Sequence, residues 1–159
     1  MTANWEALPQ IDGEIVVVED DSNLRALTKQ IVEEIGAKTV AFETANQALV
    51  YLLQSRQPCS LAIVDYGLPG QINGMDFIRM ISNKWPSTKT ILMSGYELMP
   101  ETVPSPTIYL QKPWSMKDLT KSILIYFTPV TQQQNGHILF KNISFNSFVS
   151  TRYTAEKYY

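Results

Sequence analysis

The sequence predicts an α/β fold: a doubly wound sheet of five parallel strands in (βα)5 order, with the fourth helix short or missing. Three observations predict it. Short apolar runs rich in β-branched residues recur, as in Glu14-Ile15-Val16-Val17-Val18 and Leu61-Ala62-Ile63-Val64. A run without polar alternation marks a strand buried on both faces, the habit of parallel sheets. Between these runs, apolar residues return every three or four positions, the period of an amphipathic helix. The two kinds of segment alternate, which implies right-handed crossovers with helices on both faces of the sheet.

Residues 1–12 form a polar lead-in, and Pro9 and Gly13 punctuate the approach to the first strand, Glu14 to Val18. That strand runs into Glu19, Asp20 and Asp21. Asp21 or Ser22 can cap a helix over roughly 23–35, with Leu24, Leu27, Ile31 and Ile35 as its apolar face and Gly36 as its stop. Thr39-Val40-Ala41-Phe42 is the second strand. Thr44-Ala45-Asn46-Gln47 matches a capping box, and Ala48, Leu49, Leu52 and Leu53 give the second helix its buried face. The third strand ends at Asp65, followed by a loop with Gly67, Pro69, Gly70 and Gly74. Phe77, Ile78, Ile81 and Trp85 mark the third helix, closed by Pro86. Thr90-Ile91-Leu92-Met93 is the fourth strand and leads to Ser94-Gly95. The segment from Tyr96 to Pro106 holds Pro100, Pro104 and Pro106, and reads as a loop or one distorted turn. Thr107-Ile108-Tyr109-Leu110 is the fifth strand, leading to Gln111-Lys112-Pro113. Ser115 opens the last helix, whose apolar residues include Leu119, Ile123, Tyr126 and Phe127.

The domain so defined spans residues 13–127. Residues 128–159 differ: charges thin out, Gln132 to Gly136 has the composition of a linker, and aromatic residues are scattered among Asn, Ser and Thr. Disorder, a strand on the domain edge and a partner-binding segment are all open readings of that tail. The chain of 159 residues, 45% hydrophobic, is long enough for one core. A formal net charge of −2 gives no electrostatic case for a nucleic-acid binder. The single cysteine, Cys59, excludes an internal disulfide framework, and it reads as a small apolar filler. No apolar run approaches the roughly 20 residues of a membrane helix, and Met1 to Gln10 lacks a signal-peptide pattern. A cytoplasmic protein is therefore expected.

A parallel sheet presents the C-terminal ends of all its strands on one edge, where α/β folds bind ligands. That edge collects Glu19, Asp20 and Asp21 after the first strand, Asp65 after the third, Ser94 after the fourth and Lys112 after the fifth. Taken singly, each has a bland reading: a turn residue, a helix cap, a surface lysine. Their arrival together at four strand ends argues for chemistry. Carboxylates gathered there repel one another, and burial raises their pKa values further. A divalent cation relieves that cost. The donors are all oxygens, which suits Mg²⁺, whereas zinc wants His or Cys. Lys112 supplies a point charge for a phosphoryl oxygen and Ser94 a short donor beside it. The set suits phosphoryl transfer onto Asp65, giving an acyl phosphate that can hydrolyse.

These residues, Val16-Val17-Val18-Glu19-Asp20-Asp21, the Asp65 loop, Ser94-Gly95 and Lys112-Pro113, resemble the receiver domain of two-component response regulators. The likeness covers about residues 13–127 in the expected order, and implies a flavodoxin-like fold. It implies that Asp65 accepts phosphate from a histidine kinase or a histidine phosphotransfer protein. It further implies that Asp20 and Asp65 ligate Mg²⁺ directly, Glu19 through water, and that the Gly67 carbonyl completes the protein ligands. Ser94 matches the switch hydroxyl, Lys112 the phosphoryl partner and Tyr109 the aromatic switch residue. The Lys112-Pro113 bond is expected to be cis. Gly95 leaves room for the phosphoryl group, while Tyr96, one further on, is bulky enough to shield it. The loop from Asp65 to Gly74 is one residue longer than the commonest form, a variant associated with hybrid-kinase receivers. Only 17 residues separate Ser94 from Lys112, and the missing length falls on the fourth helix, part of the family's usual output face.

The expectation is a receiver that switches binding to a downstream protein partner, with a homodimer possible and neither nucleic acid nor membrane involved. It is not an enzyme beyond its self-catalysed phosphorylation and dephosphorylation. No output domain is recognisable after residue 127. The alternative is a phosphorylation-independent binding or dimerisation module. A haloacid-dehalogenase-type phosphatase needs an Asp-x-Asp motif that neither Asp65-Tyr66-Gly67 nor Glu19-Asp20-Asp21 supplies.

Overall fold

A computed structural model of the protein describes residues 9–104 and 106–128. Residues 1–8 of the lead-in and 129–159 of the tail, with the open readings of the latter, lie outside these. The elements are β1 (Glu14–Val18), α1 (Ser22–Glu34), β2 (Lys38–Phe42), α2 (Ala45–Gln54), β3 (Cys59–Asp65), α3 (Gly74–Lys84), β4 (Lys89–Ser94), β5 (Thr107–Gln111) and α4 (Met116–Phe127). Between β4 and β5 there is one 3-10 turn, Pro100–Thr102. All the strands are parallel, in the order β2-β1-β3-β4-β5. This is the flavodoxin-like doubly wound sheet, with the fourth helix of the (βα)5 pattern absent from the described residues.

The sheet sorts its own side chains. Successive residues of a strand point to opposite faces. Ile15, Val17, Leu61, Ile63, Ile91, Met93, Ile108 and Leu110 therefore meet Ile31 and Val32 of α1 and Leu119 and Ile123 of α4 on one face. Val16, Val18, Ala62, Val64 and Leu92 meet Ala48 and Leu52 of α2 and Phe77, Ile78 and Ile81 of α3 on the other. Each fully buried Val, Leu or Ile side chain contributes about 1.5–3 kcal/mol relative to exposure. Where a fourth helix would lie, Val103 is buried and Leu98 half-buried against the second of these clusters. The polar pair beneath is self-satisfied, the Thr90 and Thr107 hydroxyls lying 2.8 Å apart.

Local signals place the helices. Asp21, not Ser22, is the N-cap of α1, accepting the Leu24 N–H at 2.8 Å. Gly36, at φ +93°, ends that helix in the left-handed conformation that glycine adopts at least cost. The capping box of Thr44 and Gln47 forms as the sequence indicates. Ser115 and Asp118 make a second one on α4. Two apolar expectations are corrected. Leu27 and Leu53 are 48% and 55% exposed. On α1 the inward stripe takes the four-residue step from Leu24 to Thr28, and the buried Thr28 hydroxyl is satisfied by the Leu24 carbonyl at 2.7 Å. On α2 the stripe runs through Ala45, Ala48 and Leu52, leaving Leu53 at its edge. Ile35 is buried as expected, but as the C-cap rather than within the helix. Among the described residues no helix is long and apolar enough to cross a membrane.

Tyr126 of α4 secures the N-terminal ends of β4 and β5. Its hydroxyl accepts the Ile108 N–H (3.1 Å) and donates to the Thr90 carbonyl (2.7 Å), with the Pro106 carbonyl at 3.1 Å. Burial pushes this phenol up to about 12, against hydrogen bonds that lower it. The proton is thus held more tightly in the folded chain than in the unfolded one. Stability from this group is complete below pH of about 10 and is lost as pH rises toward about 12. Tyr126→Phe, which orphans the Ile108 N–H, is expected to cost about 1–3 kcal/mol at neutral pH. Urea unfolding at pH 7 and pH 11 checks this: the gap between the two proteins should narrow at the higher pH.

Candidate functional site

The strand order decides what meets at the sheet's C-terminal edge. β1 and β3 are neighbours and diverge in their onward connections, so the Glu19-Asp20 turn and Asp65 flank the crevice at the topological switch point. One oxygen from each of Glu19, Asp20 and Asp65 lies within 4.8 Å of the others. Glu19 is 1% exposed and Asp65 6%, while Asp20 is exposed. Lys112 arrives from beyond β5 on its long stem. Its Nζ lies 2.9 Å from Glu19 Oε2 and 2.8 Å from Asp65 Oδ1. Glu19 also accepts the Asp21 N–H on its other oxygen, at 3.1 Å.

Burial is the largest influence on the Glu19 carboxyl and raises its pKa; the Lys112 hydrogen bond lowers it and the Asp65 charge raises it again, for a net rise. Burial alone would lower the Lys112 pKa. The hydrogen bonds and charges of Asp65 and Glu19 outweigh it, and the ammonium is held more firmly than usual. One cation is thus shared by two buried acids and offsets only one of their charges, and the Asp20 carboxylate stands beside them with no hydrogen bond or ion pair among the described residues. Such a donor set, all oxygen and part-open to solvent, fits a hard divalent cation that keeps some of its waters.

Further along the edge, Ser94 is buried at the end of β4 and its Oγ accepts the Tyr96 N–H at 3.0 Å. Tyr109 of β5 is buried too, and its hydroxyl donates to the Tyr96 carbonyl. Ser94 and Tyr109 are therefore tied to one residue between them. The Tyr96 ring is 72% exposed, so its share in this link is carried by its backbone. A side-chain carbon added at Gly95 would meet nothing within 4 Å, which leaves the expected room beside Ser94. At Gly67 it would stand 3.6 Å from Asp65 Oδ2, so the loop passes close by that carboxylate. The Lys112-Pro113 bond is cis.

Every residue singled out in the sequence thus lies on this edge, with one redirected. Asp21 caps α1 instead of joining the acids. One residue was missed. Arg25 of α1 donates from Nη1 to the Glu19 carbonyl (2.9 Å) and, more loosely, to the Asp20 carbonyl (3.3 Å). Its signal was a cation near a helix N-terminus, where the macrodipole disfavours one.

A family model described as the response regulator receiver domain matches residues 15–124. The chain belongs to this family. Among curated relatives, this receiver is 30% identical over 106 residues to the hydrogenase transcriptional regulatory protein HoxA of Cupriavidus necator, covering 63% of this chain and 21% of HoxA. It is 32% identical over 88 residues to the sensor protein TorS of Escherichia coli, covering 55% and 9%. The match thus spans about a fifth or less of those two proteins. Among solved structures, a CheY-like receiver domain protein from Methanospirillum hungatei superposes with TM-score 0.65 at 25% identity, over 79% of this chain and all of the other. The response regulator TrrA of Thermotoga maritima, in complex with Mg²⁺ and BeF, gives 0.61 at 25% identity, over 73% and 99%.

Gly74 shows how tightly the end of β3 at Asp65 is held. A side-chain carbon there would lie 2.0 Å from the Asp65 carbonyl oxygen and 2.9 Å from its carbon, both backbone atoms that cannot step aside. Gly74→Ala is expected to destabilise by about 2 kcal/mol or more. Differential scanning calorimetry should show a melting temperature lower by roughly 8 °C or more.

Proposed function

We propose that this receiver accepts a phosphoryl group on Asp65 from a phosphohistidine, in a histidine kinase or histidine phosphotransfer protein, and that the modification switches binding to a downstream protein partner in the cytoplasm. The observation that carries this reading is the convergence on Asp65: Lys112 Nζ at 2.8 Å, with Glu19 and Asp20 oxygens within 4.8 Å of an Asp65 oxygen. A carboxylate held this way is an oriented nucleophile beside a cation and two further acids.

In the proposed reaction an Asp65 carboxylate oxygen forms a bond to phosphorus. The phosphorus–nitrogen bond of the donor breaks, its electron pair stays on the imidazole, and the product is an acyl phosphate. Lys112 keeps its proton and turns from the carboxylate toward the equatorial phosphoryl oxygens, where charge gathers. Glu19, Asp20, Asp65 and the Gly67 carbonyl are the residues that would hold Mg²⁺. When bound, the ion offsets the charge of the acids and of the incoming phosphoryl oxygens. The solved TrrA complex with Mg²⁺ and BeF supports this choice of cation.

Ser94 is placed to read the result. Its Oγ accepts a hydrogen bond in this state, so its own O–H is free to donate to a phosphoryl oxygen. A shift of Ser94 carries the Tyr96 peptide, and with it the anchor of the Tyr109 hydroxyl. Differential contacts of this kind are what a two-state switch requires. The group reacts stoichiometrically and is regenerated by hydrolysis, so the protein is a self-modifying acceptor rather than an enzyme acting on other substrates.

Intact mass after incubation with Mg²⁺ and acetyl phosphate tests the proposal. Wild type should gain one phosphoryl group, Asp65→Asn none, and EDTA should abolish the gain. No phosphoryl group on wild type would overturn it in favour of a phosphorylation-independent binding or dimerisation module. Within the same assay, Tyr96→Ala should shorten the lifetime of the modified form if the ring shields it. An unchanged lifetime would confine Tyr96 to its backbone role.

A further inference from the structure

Asp20 presents a problem that the rest of the site does not share. Glu19 is fixed through its side chain, by Lys112 and by the Asp21 N–H. Asp65 is fixed by Lys112 and by a buried strand. Asp20 is exposed, and its carboxylate has no hydrogen bond or ion pair among the described residues. Its position depends on the path of the backbone between β1 and α1.

Arg25 grips that path. One turn into α1, its Nη1 reaches back to the carbonyls of Glu19 and Asp20, the two peptide groups that carry the acids. The same turn is closed from the other side, where the Arg25 N–H donates to the Asp21 carbonyl at 2.8 Å and Asp21 caps the helix. A cation in the first turns of a helix opposes the macrodipole. Its side chain is half-buried over this turn rather than paired with an acid.

We infer that Arg25 is a positioning residue for the acidic cluster, holding the backbone of Glu19 and Asp20 so that their carboxylates converge with Asp65 on a divalent cation. The inference rests on the metal-binding reading of those three acids. It separates cleanly from an electrostatic role because the two predict opposite signs. If Arg25 acted only as a nearby positive charge, removing it would tighten cation binding. If it positions the acids, removing it weakens binding.

The test is isothermal titration of Mg²⁺ into wild type and Arg25→Met, a change that keeps the apolar stem and removes the donors and the charge. Melting temperature in EDTA is measured alongside. Partners that orient metal ligands are typically worth 10–100-fold in affinity, so a Mg²⁺ dissociation constant raised about tenfold is expected. The EDTA melting temperature should change little. An unchanged or tighter constant would overturn the inference. No Mg²⁺ binding by wild type would instead overturn the metal-binding reading beneath it, and this inference with it. Should Arg25→Met fail to fold, Arg25→Gln serves the same comparison, and the sign of its effect decides. Arg25→Lys, which restores the charge without the forked donor, should recover only part of the affinity.

Discussion

A single ammonium group between two buried carboxylates is the constraint on which this site depends. Glu19 and Asp65 come from adjacent strands and face the same crevice at 1% and 6% exposure. Without Lys112, two acids would share a space that favours neither charge. The lysine resolves that conflict from two strands away, which requires β4 and β5 to lie in register beyond β3. A buried ion pair is weak evidence of stability in its own right, since desolvation offsets most of the attraction. Its worth here is in orientation, because it holds one Asp65 oxygen beside a cation and ties that oxygen to the rest of the edge.

The sheet's architecture makes such precision inexpensive. β1, β3 and β4 bury residues on both faces, so their ends are held by two separate apolar clusters. Loops of this fold can then vary without moving the edge. The β4–β5 connection is an example: a 3-10 turn with Leu98 and Val103 covers the sheet where a full helix would otherwise lie. The covering is thinner than a helix gives, and Met99 and Tyr96 are left facing solvent beside the site, 62% and 72% exposed. That difference falls on the connection and leaves Glu19, Asp65 and Lys112 in contact.

Much of this was legible in the sequence because the relevant signals are local. Unbroken β-branched runs gave the strands, Gly36 and the Thr44 box gave helix ends, and the acids, serine and lysine after four of the runs gave the edge. A fourth helix short or missing followed from Pro100, Pro104 and Pro106, each lacking a backbone donor, and among the described residues one 3-10 turn stands there. What was not legible depends on three-dimensional choices between near-equal options. Leu27 and Thr28 each satisfy a helical spacing from Leu24, and only the line of the α1–sheet contact selects the polar one. Asp21 and Ser22 were both good caps. Arg25 escaped notice because its partners are backbone carbonyls, which leave no mark on residue type. The same is true of the Tyr96 peptide, which joins Ser94 to Tyr109 without the aid of its side chain.

That last link has an evolutionary corollary. A relay built from main-chain atoms is indifferent to what hangs from the α-carbon, proline excepted, since proline has no N–H to offer Ser94. Position 96 is therefore a free dial on the rim of the crevice. Its side chain can be exchanged while the hydrogen bonds beneath it stay intact.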